Sequence, residues 1–579
     1  MADHTVTVDH SATPSTIEYS PVFNVAVTMI DRHVAEGRGG YPAIINTDAG
    51  TDPEDGADKQ VTFQQLAERV NRCGNLLSSF TSEPGGRILM VVKDCPEFFY
   101  IFWGAIKAGL VPVPLNTLLR ASDYQFMIED STCAGLVYSP EYRSEVAPAL
   151  AATGHNPDFV FCTEGPSGMS GMLDDYSAIL EPAPATADSE CFWLYSSGST
   201  GRPKGAVHLH RDIAATCVHY AIDTLGMTQE DICFSAAKLF FAYGLGNAMT
   251  FPLWVGGTAV LSGQRPSPEM TFDIIEEHRP TIYFGVPTLY AAQLRALDEK
   301  ARDFSSVRCC VSAGEALPAD IFRRWEEKTG TLILDGIGST EALHIFISNT
   351  IGDYRPGTSG KPVPGYRMKI LDDEDSAVPV GEPGRLLIQG DSTSPYYWNN
   401  ARKTAETMVD GWLNTGDTYF QDPDGYYVYC GRSDDMLKVG GIWCSPVEIE
   451  SRLIEHPKVL EAAIVGRPDS DELIKPEAFV ILNDADNSNA ATEQELREHC
   501  VSFIVTHFRE VHTTDGFRDL PRELLQVVHS AISTRLCPTG AGMPSNQLQG
   551  PGGAPGLAGA ESARLSQVAL GMDNLRVDP

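Results

Sequence analysis

Short apolar runs alternate along this chain with longer stretches in which apolar residues recur every three or four positions. The first rhythm fits buried strands, and the second fits helices with one buried face. Predicted strands are Ile88–Lys93, Val111–Leu115, Gly135–Ser139, Thr258–Leu261, Thr281–Val286, Arg308–Ser312 and Leu332–Leu334. Phe23–Val34 and the apolar stretch Phe98–Leu110 are predicted helices. A further helix opens at Thr62, where Gln65 completes a capping box and Leu66, Val70, Cys73 and Leu77 share one face. Alternation of this kind predicts an α/β fold with stacked, mostly parallel sheets.

The pattern changes in four places. Residues 1–20 are polar and are predicted to be a disordered leader. Arg367–Gly390 is β-rich, and the Gly/Asp-rich passage Thr415–Asp435 closes the large domain, assigned to residues 21–433. Pro446–Glu455 is a predicted helix, and Ala462–Val465 and Ala478–Leu482 are predicted strands. They define a small α+β domain, residues 434–535, that is atypical after about residue 500. Gly540–Gly559 is rich in Gly, Pro and Ala, so residues 536–579 are predicted to be a disordered tail.

Charge narrows the partners. The chain carries 77 acidic and 43 basic residues, for a formal charge of −34. Such a surface repels nucleic acid and anionic membranes and points to small-molecule partners. It also fits a salt-adapted source. A homodimer is left open. The 13 cysteines include no C-x-x-C pair and no Cys/His cluster, so no structural zinc is expected. No secretory h-region and no apolar run long enough to span a bilayer occurs, so the expected location is cytoplasmic.

The densest chemistry lies in Tyr195-Ser-Ser-Gly-Ser-Thr-Gly-Arg-Pro-Lys-Gly-Ala-Val-His-Leu-His210. An apolar strand end, Cys191–Leu194, precedes it, and a helix is predicted from Asp212 through Tyr220. Gly198 and Gly201 let backbone N–H groups turn toward an anion, Ser196, Ser197, Ser199 and Thr200 add neutral donors, and Lys204 adds a point charge. The glycine spacing differs from the P-loop of common nucleotide hydrolases, and no Ser or Thr follows Lys204. Two loops that directly follow strands, Ser312–Pro318 and Asp335–Glu341, are further candidates, because open α/β sheets bind ligands at strand ends.

The order of residues 195–210 resembles the phosphate loop of the adenylate-forming superfamily of acyl-CoA synthetases, adenylation domains and luciferases. Further motifs extend the resemblance from about Asn24 to Leu482. It is strongest to the benzoate-CoA ligase branch, through Ala237-Lys-Leu-Phe-Phe-Ala-Tyr-Gly-Leu-Gly-Asn247 and Asp335-Gly-Ile-Gly-Ser-Thr-Glu-Ala-Leu-His-Ile345. The resemblance implies ATP, Mg²⁺ and CoA as cofactor and co-substrates. A carboxylic acid attacks the α-phosphate to give acyl-AMP, and CoA then displaces AMP. On the matching positions, Thr340 donates to the α-phosphate, Glu341 holds Mg²⁺, and Lys204 supports the phosphates. Gly314, Glu315, Ala316, Asp335, Gly336 and Ile337 enclose the adenine, and Asp417 and Arg432 contact the ribose. Ala242, Tyr243, Gly338, His344 and Ile345 form a pocket for one planar ring. Asp434 is the hinge of a mobile small domain, and Gly440, Gly441 and Trp443 line the CoA channel.

One motif is broken. Family members end with a segment resembling Leu-Pro-(Lys/Arg)-Thr-x-x-Gly-Lys, whose Lys serves the first step. Here Gly516-Phe-Arg-Asp-Leu-Pro-Arg-Glu523 leads up to it, but Val527 stands at the Lys position, and no lysine follows Lys475. Seven acidic and six basic residues nearly cancel from Val501 onward. A frame error after about residue 500 accounts for both features, and a natural variant is the alternative. Three functions follow: an aryl-acid CoA ligase for benzoate or a hydroxybenzoate, an adenylation enzyme that loads a carrier protein, and a nucleotide- or acid-binding pseudoenzyme.

Overall fold

The computed structural model describes residues 4–48, 59–81, 84–165, 168–198, 201–433, 437–439, 442–468, 474–484, 489, 491–496, 498–500 and 533–537. The chain divides into two compact units. The first holds Met1–Ser197, Pro203–Met368 and Leu387–Thr415, and the second holds Gly198–Arg202, Lys369–Leu386 and Gly416–Pro579. The division by packing thus falls at Gly416, ahead of the boundary expected at 433. The hinge candidate Asp434 lies outside the described residues.

Two sheets organise the first unit. One has nine strands, in the order Lys361–Pro362, Ile345–Ser348, Ile333–Gly338, Cys309–Ser312, Ile282–Gly285, Ile232–Ser235, Thr258–Leu261, Pro42–Asn46 and Gln60–Thr62. Its centre is parallel from Ile333–Gly338 through Pro42–Asn46, and its edges are antiparallel. The other is parallel throughout, in the order Val111–Pro114, Arg87–Val91, Gly135–Tyr138 and Phe159–Cys162. Their apolar strands are buried, as parallel strands covered on both faces should be.

The predicted elements stand within a few residues of their observed limits. The helix Phe63–Phe80 has the capping box at Thr62 and Gln65, and Leu66, Val70, Cys73 and Leu77 are fully buried. The helix of the apolar stretch is Pro96–Lys107. The first predicted helix is real but wide, because Val27–Asp31 takes π-helical turns before Arg32–Ala35. Cys217–Ile222 and Gly246–Thr250 are π-helical too. Such turns cluster at functional sites.

Three expectations need correction. Within the leader expected to be disordered, Val6–Asp9 and Thr16–Tyr19 pair as an antiparallel hairpin. Ser15 Oγ donates to Asp223 Oδ1 at 2.7 Å, and the Asn24 N–H donates to His4 Nδ1 at 3.0 Å. Paired backbone and polar tethers fix this segment, so its low hydrophobicity did not reveal it. The phosphate-loop residues are not one open loop between strand and helix. Glu190–Gly198 and Gly201–Leu209 form a two-stranded ribbon, and the helix begins at His210. Asp335–Ile337 belongs to the strand Ile333–Gly338 rather than to a loop, because Ile345–Ser348 turns back to pair with it.

In the second unit, Pro446–Ile454 packs on the antiparallel pair Val459–Pro468 and Ile474–Leu482, and Ser533–Cys537 adds a parallel strand. Ile449, Leu453, Ile464, Val480 and Leu496 form its core, as an α+β domain requires. Apart from 536–537, the predicted tail lies outside the described residues.

Candidate active site

The turn Ser339–Leu343 joins two antiparallel strands and carries Thr340 and Glu341. The sequence makes this turn tight. A Cβ at Gly338 would lie 2.6 Å from His344 O, and one at Gly336 2.7 Å from Ile347 O, so neither position accepts a side chain. The Ala342 N–H donates to Ser339 Oγ at 3.1 Å, and the Leu343 N–H donates to Thr340 O at 3.1 Å. Leu343 takes φ 68°, a conformation strained for a branched residue and one that clusters at functional sites.

Polar groups from distant segments of the first unit gather around Glu341. Ser196 Oγ donates to Glu341 Oε1 at 3.0 Å, and Tyr397 Oη donates to the same oxygen at 2.7 Å. Lys204 Nζ sits 4.9 Å from the centre of the Tyr397 ring. The Ser394 N–H donates to Glu341 O at 2.7 Å. Of the phosphate-loop candidates, Ser196 thus meets Glu341 directly, and Lys204 lies over the Tyr397 ring. Ser199 and Thr200 lie outside the described residues, as do the side chain of Ser197 and any contact of Gly198 or Gly201. Tyr397 and Ser394 were missed, since nothing local in sequence ties them to a residue more than fifty positions earlier.

Asp335 lies on the neighbouring strand with its carboxyl buried. Burial holds it well above the usual carboxylate range, opposed by the Ser312 hydroxyl and the N–H groups of Leu317 and Gly336. Its carbonyl accepts from Asn349 N at 2.9 Å and Asn349 Nδ2 at 3.0 Å. Gly314 and Glu315 are exposed, Ala316 is half-buried, and Gly314 takes φ 96°. An exposed loop thus precedes Leu317, whose N–H faces the Asp335 carboxyl.

Of the ring-pocket candidates, Tyr243 and His344 meet. Ala242 begins the short helix Ala242–Leu245, and Tyr243 Oη donates to Val311 O at 3.1 Å with Gly285 O at 3.2 Å. His344 is buried, 5.6 Å from the Tyr243 ring, 4.9 Å from that of Tyr220 and 4.5 Å from that of Phe251. Its Nε2 bonds Asn247 Oδ1 at 3.0 Å, and burial pulls its pKa down to about 3, so the ring is neutral. A Cβ at Gly246 would meet that ring at 2.4 Å. Ile345 is buried beside Gly336. Asn247 and Tyr220, both on π-helical turns, complete this aromatic cluster and were not singled out from sequence.

In the second unit Asp417 and Arg432 face each other across paired strands, with Arg432 Nη1 at 3.1 Å from Asp417 Oδ1. Gly416 takes φ 75°, and a Cβ there would strike the Arg432 guanidinium at 2.6 Å. Gly440 and Gly441 lie outside the described residues, and of Trp443 only the backbone, in the strand Ile442–Cys444, is described.

Among the described residues no cluster of three His, Cys, Asp or Glu is placed to hold a metal alone. Glu341 offers one carboxylate next to hydroxyl donors, which suits a hard cation that takes its other oxygens from phosphate and water. Among the same residues no helix is long and apolar enough to cross a membrane.

This arrangement of a Gly/Ser-rich ribbon, a Thr-Glu turn and an aromatic cluster has counterparts. The profile of the AMP-binding enzyme family matches residues 31–398, and that of the AMP-binding enzyme C-terminal domain matches residues 448–523. The chain belongs to the AMP-binding enzyme family. The second match takes in residues 501–523, which charge balance had set apart, and ends at Glu523, short of Val527. A benzoate–CoA ligase of Thauera aromatica is 46% identical over 517 residues, 89% of this chain and 96% of the relative. A 4-hydroxybenzoate–CoA/benzoate–CoA ligase of Rhodopseudomonas palustris is 42% identical, covering 83% of this chain and 88% of the relative. The crystal structure of an anthranilate CoA ligase in complex with anthranoyl-AMP superposes with a TM-score of 0.79 at 38% identity, covering 83% of this chain and 91% of that one. The enzyme is thus an AMP-forming acid–thiol ligase that uses ATP and CoA.

Proposed function

We propose that this enzyme activates benzoate or a hydroxybenzoate as the aroyl adenylate and transfers the aroyl group to CoA. The identity to benzoate–CoA ligases over nearly their whole length carries the reading. The neutral aromatic cluster of Tyr243, His344, Tyr220 and Phe251 supports a flat, uncharged ring as the part of the acid that is buried.

In the first step the carboxylate attacks the α-phosphate of ATP and pyrophosphate leaves. Two anions must meet, so fixed donors and positive charge are needed where charge develops. Thr340 donates to the α-phosphate, and Lys204 supplies charge near the phosphates. Glu341, fixed by Ser196 and Tyr397, would hold Mg²⁺. When bound, that cation offsets the charge of the phosphates. The strand Asp335–Ile337 and the loop Gly314–Ala316 enclose the adenine, and Asp417 and Arg432 contact the ribose. In the second step CoA thiolate attacks the aroyl carbonyl and AMP leaves. The small domain swings about Asp434, and Gly440, Gly441 and Trp443 line the path of the pantetheine arm.

The test is release of AMP and aroyl-CoA with ATP, Mg²⁺ and CoA when benzoate, 4-hydroxybenzoate and 2-aminobenzoate are each supplied to a chain with a complete C-terminal motif. No product with any of them, or faster turnover of acetate or a long fatty acid, overturns the reading. Loading of a carrier protein without CoA-dependent AMP release would favour the adenylation enzyme instead.

A further inference from the structure

The Thr340 carbonyl rests on a buried pair that no part of the reaction above uses. His208 lies near the end of the strand Gly201–Leu209, and Asp212 lies in the first turn of the helix His210–Thr216. Both side chains are wholly shielded from solvent, and Nδ1 of His208 is 2.9 Å from Asp212 Oδ2. The other ring nitrogen, Nε2, is 2.9 Å from Thr340 O. The Phe192 ring stacks on the imidazole at 5.1 Å. Asp212 Oδ2 also accepts the Leu209 N–H at 3.0 Å.

Hydrogen-bond accounting fixes the direction of these contacts. A carbonyl oxygen only accepts, so Nε2 must carry a proton. The Asp212 oxygen already accepts from Leu209, and the pair stays together through one further proton, shared between Nδ1 and the carboxylate. With that proton in place, the ring donates to Thr340 without a net charge in the buried pair. Were the ring to carry its only proton on Nδ1, Nε2 would turn a lone pair on the Thr340 carbonyl.

We infer that His208 and Asp212 are positioning residues for adenylate formation: Asp212 sets the protonation of His208, and His208 holds the Thr340 carbonyl. The same carbonyl closes the turn through Leu343, and the next residue is Glu341. A strained turn needs such an anchor, because a small shift of donors aimed at a reacting phosphate costs rate steeply. This inference rests on the role proposed for Thr340 and Glu341.

Three variants test it: Asp212→Asn, His208→Gln and His208→Phe. An amide at 212 keeps its oxygen toward the Leu209 N–H, which leaves the wrong ring nitrogen protonated. Gln at 208 can place its amide N–H at the Nε2 position, whereas Phe keeps the ring volume and the stack on Phe192 but donates nothing. The readout is aroate-dependent pyrophosphate release with ATP. Asp212→Asn and His208→Phe should lose roughly 10- to 100-fold in kcat, an energy within reach of one charge-assisted hydrogen bond, with the KM for the acid within about twofold of wild type. His208→Gln should stay within about threefold. A Phe variant faster than the Gln variant would mean that the ring only packs, and would overturn the inference. So would Asp212→Asn at the wild-type rate, which decides the matter even if the Phe variant fails to fold. A wild-type enzyme that releases no pyrophosphate would instead sink the proposed function.

Discussion

Tyr397 Oη donates to Glu341 Oε1 at 2.7 Å while Lys204 Nζ lies over the same phenol ring. One aromatic side chain thus contacts both the carboxylate and the Lys204 ammonium of the ribbon. It does so from a segment with no phosphate motif of its own. Replacing Tyr397 by Phe keeps the ring and removes only the donor. We expect roughly a 10- to 100-fold loss in pyrophosphate release, the range of one hydrogen bond to a charged group. The measurement is kcat for adenylation together with the KM for Mg-ATP. An unchanged rate would mean that Ser196 alone orients Glu341.

Glu341→Gln tests the carboxylate itself. The change adds no bulk, and both donors can still reach the amide oxygen, so the thermal midpoint should stay within a few degrees of wild type. Adenylate formation should fall by about two orders of magnitude or more, the usual cost of removing a preorganised charge from such a site. Titrating Mg²⁺ should show saturation shifted to higher concentration. Full activity at unchanged Mg²⁺ would place the metal elsewhere.

Ala242→Leu tests the ring pocket. Ala242 is buried at the start of its helix beside Tyr243, and a branched side chain there overpacks by about 1–3 kcal/mol. The loss should appear as roughly 10- to 200-fold in kcat/KM for the acid, with the KM for ATP unmoved. An equal loss for ATP would show that residue 242 supports the fold rather than the pocket.

The stability contributed by the buried histidines should fall on acidification in a defined window. His33, His210 and His344 are each held down to about 3 by burial, from an ordinary value near 6.5. The unfolded chain takes up these protons below about pH 6.5. The folded chain refuses them until about pH 3, so stability is full above the upper limit and drains between the two. Asp94 works the other way, since burial raises it from 3.8 to about 6, and its cost to the fold is relieved as pH falls through the same range. Asp335, Asp212 and Asp130 are raised by burial in the same sense as Asp94. The histidine share is therefore read by difference: from pH 7 to pH 4 the urea midpoint of His344→Phe should fall by less than that of the wild type, and equal changes in both would contradict the burial argument.

What the sequence revealed and what it hid differ in range along the chain. Apolar runs such as Thr258–Leu261 mark a strand because burial on both faces is written into consecutive residues. The Thr62–Gln65 cap is local and was equally legible. The contacts that shape the site are not local. Ser196 and Tyr397 meet at Glu341 from opposite directions along the chain, and His208 reaches Thr340 across 132 positions. His208 stood inside a motif that drew attention for its phosphate chemistry, yet only packing shows that it faces Asp212 and a carbonyl. The N-terminal hairpin escaped for a different reason: backbone pairing, not apolar burial, holds it.

The C-terminal break makes the sharpest prediction, because the two half-reactions draw on different residues. The resemblance assigns a lysine to the first step, and Val527 stands at the matching position with no lysine beyond Lys475. The C-terminal profile stops at Glu523, so the resemblance ends where that lysine would be approached. A cation placed opposite two anions in a partly dry site is worth several kcal/mol in the transition state. The chain with this sequence should therefore form aroyl-AMP about two orders of magnitude or more slowly than one carrying the complete motif. Gly440, Gly441 and Trp443, assigned to the second step, are all present. Conversion of supplied benzoyl-AMP and CoA to the thioester should accordingly be far less impaired. Rapid-quench assays of each step, run on this chain and on one whose residues after 523 are replaced by the family segment, separate the outcomes. Loss confined to the first step assigns the defect to the lysine. Equal loss in both steps assigns it to a small domain that does not fold beyond Leu482. Equal and normal rates would mean that another cation, with Arg522 the nearest in sequence, takes the lysine's place.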